Sequence, residues 1–278
     1  MVLSYECFEV SIDEGIAHLQ LSRPDKANSL TRAFWGELPQ VIDQLSRSGK
    51  VRALVLSAQG SVFCGGLDLQ MFAAAKEFHA GTPVARESMH AALLQMQDAL
   101  NALERARFPV IAAVQGSCIG AGFDLIAACD ICFASETATF RIEETNLGMM
   151  ADLGVLQRLP HLIPGGIARY LALTGDSLHA SDALRLGLVA KVLDSTEALL
   201  DAALAAARHI AARPPLAISG IKRSMVYSRD HGVAESLQHS ALLQASILNG
   251  ADILRAIQAR TEGRVAEFGH LDAIDQTF

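Results

Sequence analysis

Two apolar runs constrain the fold of this chain more than anything else in it: VRALVLSA at 51–58 and FPVIAAVQG at 108–116. Neither alternates with polar residues. A strand that is apolar along its length is buried on both faces, as strands in helix-covered sheets are. Each run leads into a glycine-rich loop and then a helical pattern. The first passes through GSVFCGGLDLQMF to a long helical stretch at 83–107, and the second through GSCIGAGFDLIAACD, a turn that opens a helix. The recurring order of strand, loop and helix describes an α/β core made of repeated turns.

The flanking segments fit that frame. CFEVSIDEGIAHLQLS reads as two strands joined at Asp13-Glu14-Gly15, a hairpin signal. After the loop RPDKANSL, the residues Phe34, Leu38, Val41, Ile42 and Leu45 fall at helical spacing, with Ser29 or Thr31 expected as the N-cap. ICFAS and ATFRI read as further strands. From Leu153 onward the pattern is nearly all helical, punctuated by Pro160, Pro164, Pro214 and Pro215. A composition shift near Asp194 separates a core at 1–193 from a helical part at 194–278.

Composition narrows the function. The 278 residues are 51% hydrophobic and 19% charged, ample for a globular core, and the net charge of -7 comes with no Lys/Arg run. A nucleic-acid or anionic-membrane surface is therefore not expected. No apolar run reaches the roughly 18 residues that span a bilayer. The opening MVLSYECFEV carries no signal-peptide or transit-peptide character, so the expected location is cytoplasmic. Five cysteines are odd in number and without a disulfide spacing; Cys129-Asp-Ile-Cys132, with no second pair, reads as buried thiols at a helix-to-strand junction. The nine histidines form no HxH or HExxH spacing, and no metal is implied.

The candidate chemistry lies in the two glycine-rich loops and three carboxylates. Glycines at 65–66 and at 116, 120 and 122 let backbone N–H groups approach a ligand, and two such loops could hold one oxygen between two donors. Tight turns before helices explain the same glycines. GxGxxG is incomplete, since Leu125 stands at its third glycine, and no GK[ST] is present. Asp124, in the first turn of a helix, either stabilises that N-terminus or works in a site. Glu143 and Glu144 end a short strand, and the pattern does not choose between them. Asp152, set among Leu147, Met149, Met150, Leu153 and Val155, is either the N-cap of LGVLQRLP or a reactive acid.

RPDKANSL, SVFCGGLDL, VIAAVQGSCIGAGFDLIAACDI and FRIEETNLGMMADLGVLQRLP, in that order, resemble the crotonase (enoyl-CoA hydratase/isomerase) superfamily from about residue 8 to 192. The resemblance implies a crotonase (ClpP-like) spiral of ββα turns with a helical C-terminal trimerisation region, assembled as a homotrimer or homohexamer. It implies an acyl-CoA thioester substrate, with coenzyme A as part of that substrate and no separate cofactor. The thioester oxygen would meet the N–H groups of Leu67 and Ala121, the latter standing where many members have glycine, with Gly122 beside it. Lys26, Ala27, Gly66 and Asp68 would contact adenine and pantetheine, largely through main chain.

The two glutamates of classical hydratases fall on Asp124 and Glu144, and Asp152 stands where hydratases usually have glycine. This trio resembles the Δ3,5-Δ2,4-dienoyl-CoA isomerases of fatty-acid β-oxidation. It implies Glu144 as base at C2, Asp152 as acid at C6 and Asp124 as an orienting group. The alternatives are a hydratase, or another crotonase reaction on a specialised acyl-CoA, and a CoA-binding protein without catalysis. The stretch at 70–86 is expected to shape the acyl end of the site.

Overall fold

The computed structural model describes residues 2–74 and 81–274, so part of the stretch at 70–86 lies outside the described residues. A seven-stranded sheet forms the centre. Its strands are β1 (Val2–Ser4), β2 (Phe8–Asp13), β3 (Ile16–Leu21), β4 (Ala53–Ala58) and β5 (Val110–Val114), followed after an intervening short strand by β7 (Ile131–Ser135) and then β10 (Lys191–Leu193). The expected hairpin closes on Glu14 and Gly15, both at positive φ, the backbone that a two-residue turn demands. From β3 to β10 the pairing is parallel, and every residue of β4 and β5 is buried, as their unbroken apolar character requires.

Each central strand then continues into a second, smaller layer. Its strands are β6 (Ser117–Ile119), β8 (Thr139–Arg141) and β9 (Leu178–His179), extended by single bridges from Cys64 to Cys118 and from Leu30 to Leu67. The chain thus winds as a spiral, with one long and one short strand to a turn. On one face of the large sheet lie α1 (Phe34–Ser48), α3 (Pro83–Arg105) and α4 (Ala121–Ala127), which share the main core; the short α2 (Leu69–Ala74) precedes α3. Helix α1 buries Phe34, Trp35, Leu38, Val41, Ile42 and Leu45, each contributing about 1.5–3 kcal/mol. Its N-cap position is Ala33, with no side-chain cap. Ser29 donates instead to Asp68, and the Thr31 hydroxyl meets the Cys7 thiol, so neither plays the capping part expected of it.

The later helices are α5 (Val155–Leu162), α6 (Gly165–Thr174), α7 (Ala180–Leu186), α8 (Thr196–Ala211), α9 (Pro215–Asp230), α10 (Val233–Ile247) and α11 (Gly250–Thr261). Helix α8 covers the other face of the sheet, placing Leu199, Ala203 and Ala207 against Val55, Ile111 and Phe133. Beyond α11, residues 264–274 return across the molecule. Leu271 N–H bonds the Gly49 carbonyl, Ile274 N–H that of Arg47, and the Arg52 guanidinium takes the carbonyls of Phe268, Gly269 and Arg213.

One buried cation fastens α9 to the core. The Lys222 ammonium, 4% exposed, donates to the carbonyls of Leu103 (2.6 Å) and Phe108 (3.0 Å) and to the Asp130 carboxylate (2.7 Å). The same carboxylate accepts Val110 N–H. Asp130 lies between Cys129 and Cys132, whose thiols are free; burial pushes the Cys132 thiol up to about 12, which keeps it unreactive. Replacing Lys222 with Met should leave Asp130 buried without its cation. We expect a loss of about 3–5 kcal/mol, read as a fall in the urea midpoint; an unchanged midpoint would show that the pair does not hold α9.

Candidate active site

The loops after β3, β4 and β5 leave the carboxyl ends of three adjacent parallel strands, where open α/β sheets bind ligands. Asn28 shapes the first loop. It is 2% exposed with φ +52°, a conformation asparagine tolerates better than most residues. Its Oδ1 accepts Arg23 N–H at 2.9 Å, and its Nδ2 donates to the carbonyls of Gln59 (2.9 Å) and Val62 (2.7 Å). Ala27, also left-handed, accepts Gly65 N–H, tying the first loop to the second.

The second loop is paired with the third. Cys64 N–H donates to Ser117 at 3.1 Å, and Ile119 N–H donates to Cys64 at 2.9 Å; Leu30 exchanges bonds with Gly66 and Asp68. This pairing spends the N–H groups of Cys64, Gly65 and Asp68 and passes over that of Leu67. Ala121 begins α4, where N–H groups precede the first intrahelical bond. Among the described residues, neither the Leu67 nor the Ala121 N–H donates to a protein acceptor. Gly66 lets the two loops close on each other. Its φ is +92°, and a Cβ there would stand 2.9 Å from the Ile119 carbonyl and 3.6 Å from the Ala121 nitrogen. Gly122 lies one residue on, packed against Cys64.

Of the residues expected at the CoA, Lys26 is exposed on the short turn Pro24–Lys26. Ala27 and Gly66 each retain one carbonyl lone pair after their protein bonds. Asp68 is committed elsewhere. Its carboxylate accepts Gln70 N–H at 3.0 Å, and Arg23 and Ser29 at 3.2 Å, and these bonds hold it below the usual aspartate range. Its own N–H goes to Leu30. Asp68 thereby ties the loops together.

The three carboxyls converge. Asp124 is fully buried in α4; its Oδ1 accepts Val155 N–H at 2.6 Å, and its Oδ2 is buried without a partner among the described residues. Burial pushes its pKa up to about 8, assisted by the charges of Glu144 and Asp152 and opposed by the Val155 bond and by Arg158. Near neutral pH Asp124 therefore carries a proton, and Oδ2 is the oxygen free to hold it. Glu144 opens the short turn Glu144–Leu147, with Oε1 beside Gly120 and Oε2 buried without a partner among the described residues. Burial raises it, as do the charges of Asp152 and Glu143. Glu143 is different: it pairs with Arg141 at 2.5 Å and accepts from Asn146, which leaves Glu144 as the available glutamate.

Asp152 is half-buried and raised by that burial. It does not cap α5. Gly154 occupies the cap position, and the first N–H of the helix belongs to Asp124, from 31 residues earlier in the chain. The expected alternatives thus exchange places: Asp124 supplies the capping acceptor, on α5 and not on its own helix, and Asp152 does no capping. Two supporting groups escaped the sequence reading, Asn28 in the first loop and Arg158 behind Asp152. The only sequence hint of the former is an asparagine beside a turn, and of the latter there is none.

Two unspent N–H groups from successive turns of the spiral, with a cluster of raised carboxyls, form a site able to hold an oxyanion and move protons, and the chain belongs to the enoyl-CoA hydratase/isomerase family. The family model for enoyl-CoA hydratase/isomerase matches residues 11–270. Among individual relatives, the chain is 40% identical to the human mitochondrial Δ(3,5)-Δ(2,4)-dienoyl-CoA isomerase, over 94% of this chain and 81% of that one. It is 36% identical to the peroxisomal enzyme of the same name from Arabidopsis thaliana, over 96% and 99%. The crystal structure of a putative enoyl-CoA hydratase from Streptomyces coelicolor superimposes with a TM-score of 0.87 at 31% identity, covering 96% of this chain and 95% of that one.

The Asp124 proton has a consequence for stability. Its folded pKa of about 8 exceeds the unfolded value of about 3.9, so the protonated form is favoured by folding. That contribution is complete below the unfolded value and is lost as pH rises through the folded one. Asp124→Asn keeps an acceptor for Val155 N–H and removes the titration. Between about pH 5 and about pH 9 the wild type should lose more stability than the variant, by a few kcal/mol on the order expected from linkage. Denaturant midpoints at the two pH values measure this, and parallel behaviour would mean that Asp124 ionises as readily folded as unfolded.

Proposed function

We propose that this chain converts 3,5-dienoyl-CoA to 2,4-dienoyl-CoA in fatty-acid β-oxidation. The observation that carries the reading is Asp152, a third raised carboxyl within electrostatic reach of Asp124, on the helix that Ala121 opens, and of Glu144, whose Oε1 lies beside Gly120. The relatives that bear the isomerase name support it. The thioester oxygen is held between the two N–H groups, each contributing about 3 kcal/mol as negative charge builds there.

Glu144, ionised, removes a proton from C2. The electron pair left behind spreads through the C3–C4 and C5–C6 double bonds and onto the thioester oxygen. C6 then takes a proton from Asp152, the carbonyl re-forms, and the double bonds stand at C2–C3 and C4–C5. Glu144 has gained a proton and Asp152 has lost one, and exchange with water restores both. Burial raises both carboxyls, and two interacting acids in such a site can hold one proton between them, which the proposed mechanism places on Asp152. Asp124, neutral, limits the negative charge in the cleft and holds the start of α5. Carboxyls and amides supply every step, so the reaction calls for no metal or separate cofactor.

Hydration would need two carboxylates on one water, and Asp124 is poorly suited to that: it is protonated, and one of its oxygens is committed to Val155. A purely binding role would leave the raised carboxyls without a task. We further propose assembly as a homotrimer or homohexamer. The helices α9–α11 present exposed Met225, Leu237, Leu242 and Leu254, an apolar surface suited to covering by a second copy.

Purified protein given 3,5-dienoyl-CoA should develop the near-ultraviolet absorbance of the conjugated product. The rate should follow a bell in pH whose two limbs report the titration of the Glu144–Asp152 pair, with the acid limb above the ordinary carboxylate range. Asp152→Asn and Glu144→Gln should each lower kcat by at least about 100-fold while an unreactive acyl-CoA still binds. Retained turnover in Asp152→Asn, or fast hydration of crotonyl-CoA by the wild type, would refute the reading. Sedimentation at micromolar concentration should give three or six chains; a monomer would remove the assembly.

A further inference from the structure

The Asp152 turn is gripped from behind by groups that touch neither the N–H pair nor the CoA loops. The Gln97 side chain, on α3, donates from Nε2 to the Asp152 carbonyl at 2.6 Å. Arg158, on α5 and 8% exposed, lies directly under the turn. Its Nη1 reaches the Leu153 carbonyl at 3.4 Å and its Nη2 donates to Asn101 at 2.6 Å. Its Nε donates to Glu104 at 2.8 Å, and Glu104 is also held by Arg229 at the end of α9. The contact is close enough to demand glycine at 154: φ is +126°, and a Cβ would collide with the Arg158 guanidinium. Behind these groups lies a polar cavity of about 470 Å³ lined by Gln97, Asn101, Glu104, Asp152 and Arg229 among others.

We propose that Gln97 and Arg158 are positioning residues for Asp152, fixing the backbone from which its carboxyl reaches C6. The inference rests on the isomerase reading above. Two elements supply the grip, α3 with Gln97 at the carbonyl of 152 and α5 with Arg158 at that of 153, and Arg158 is itself tied to α3 through Asn101 and Glu104. With Asp124 holding Val155 N–H, the three successive peptide units that follow Asp152 are pinned. An ångström of misplacement at a reacting group costs about 100-fold in rate, so a turn fixed this way controls turnover without contacting substrate.

Gln97→Met removes one bond and no charge, and should lower kcat by about 10- to 100-fold. Binding of a saturated acyl-CoA and the melting temperature should both stay near wild type, which a general structural defect would not allow. Gln97→Glu supplies a second test. Ionised, it sets one acceptor against another; protonated, it donates as glutamine does, so its rate relative to wild type should rise as pH falls. Arg158→Lys, which keeps the charge over Glu104, should retain more activity than Arg158→Met. Carboxyl NMR of labelled aspartate gives a readout independent of turnover: in Gln97→Met the Asp152 signal, assigned by its loss in Asp152→Asn, should titrate lower as the freed carboxyl meets water. Unaltered kcat and titration in Gln97→Met, or a Gln97→Glu ratio flat in pH, would overturn the positioning role. An inactive wild type would overturn the isomerase reading alone, because the titration still reports on the turn.

Discussion

The backbone pairing between Cys64 and residues 117–119 is the constraint on which the rest of the molecule depends. It joins two successive turns of the spiral edge to edge, with Ile119 donating to Cys64 and Cys64 to Ser117. Most N–H groups in such a pairing are consumed. Among the described residues, the N–H groups of Leu67 and Ala121 are left without a protein acceptor for geometric reasons: one falls on the outward side of a parallel bridge, and the other lies at the first position of a helix. The donors are therefore by-products of how the turns stack. Side-chain identity at 67 or 121 matters little to them, because the donor is the backbone.

Electrostatically the cleft is built on disfavoured charge. Burial raises Asp124, Glu144 and Asp152; the charges of Glu144 and Asp152 push Asp124 further, and that of Asp152 pushes Glu144. Arg158 is the counterweight, and its position behind the turn lets it act on Asp124 without neutralising the cluster. Full pairing of these acids with cations would stabilise the fold and remove the chemistry. Asp124 shows the compromise: one oxygen serves the architecture as an acceptor, and the other is left with a proton and no partner.

Much of this was written in short-range patterns. The unbroken apolar runs declared a covered parallel sheet, Asp13-Glu14-Gly15 declared its hairpin, and the glycine clusters marked the loops that meet. What the sequence could not show were interactions whose partners are far apart in the chain. Asp152 looked like a cap because it precedes a helix, yet the acceptor for that helix arrives from Asp124 on another turn of the spiral. Ser29 and Thr31 looked like caps for the same local reason, and tertiary partners claimed them. Glu143 and Glu144 were alike until Arg141 was seen to take the first. Asp68 matched the expected position but spends its carboxylate on Arg23, Ser29 and Gln70.

The returning segment at 264–274 bears on how the chain is made. It bonds Gly49 and Arg47 at the end of α1, and Arg52 waits for carbonyls more than 150 residues downstream. On the ribosome the earlier part emerges first, at roughly 5–20 residues each second. For about ten seconds or more the guanidinium of Arg52 and the carbonyls of α1 have only water for partners. Contacts of such long sequence separation form late and slowly. A nascent chain therefore passes through a stage in which the spiral is wound but unfastened, the stage at which a chaperone or a protease would meet it.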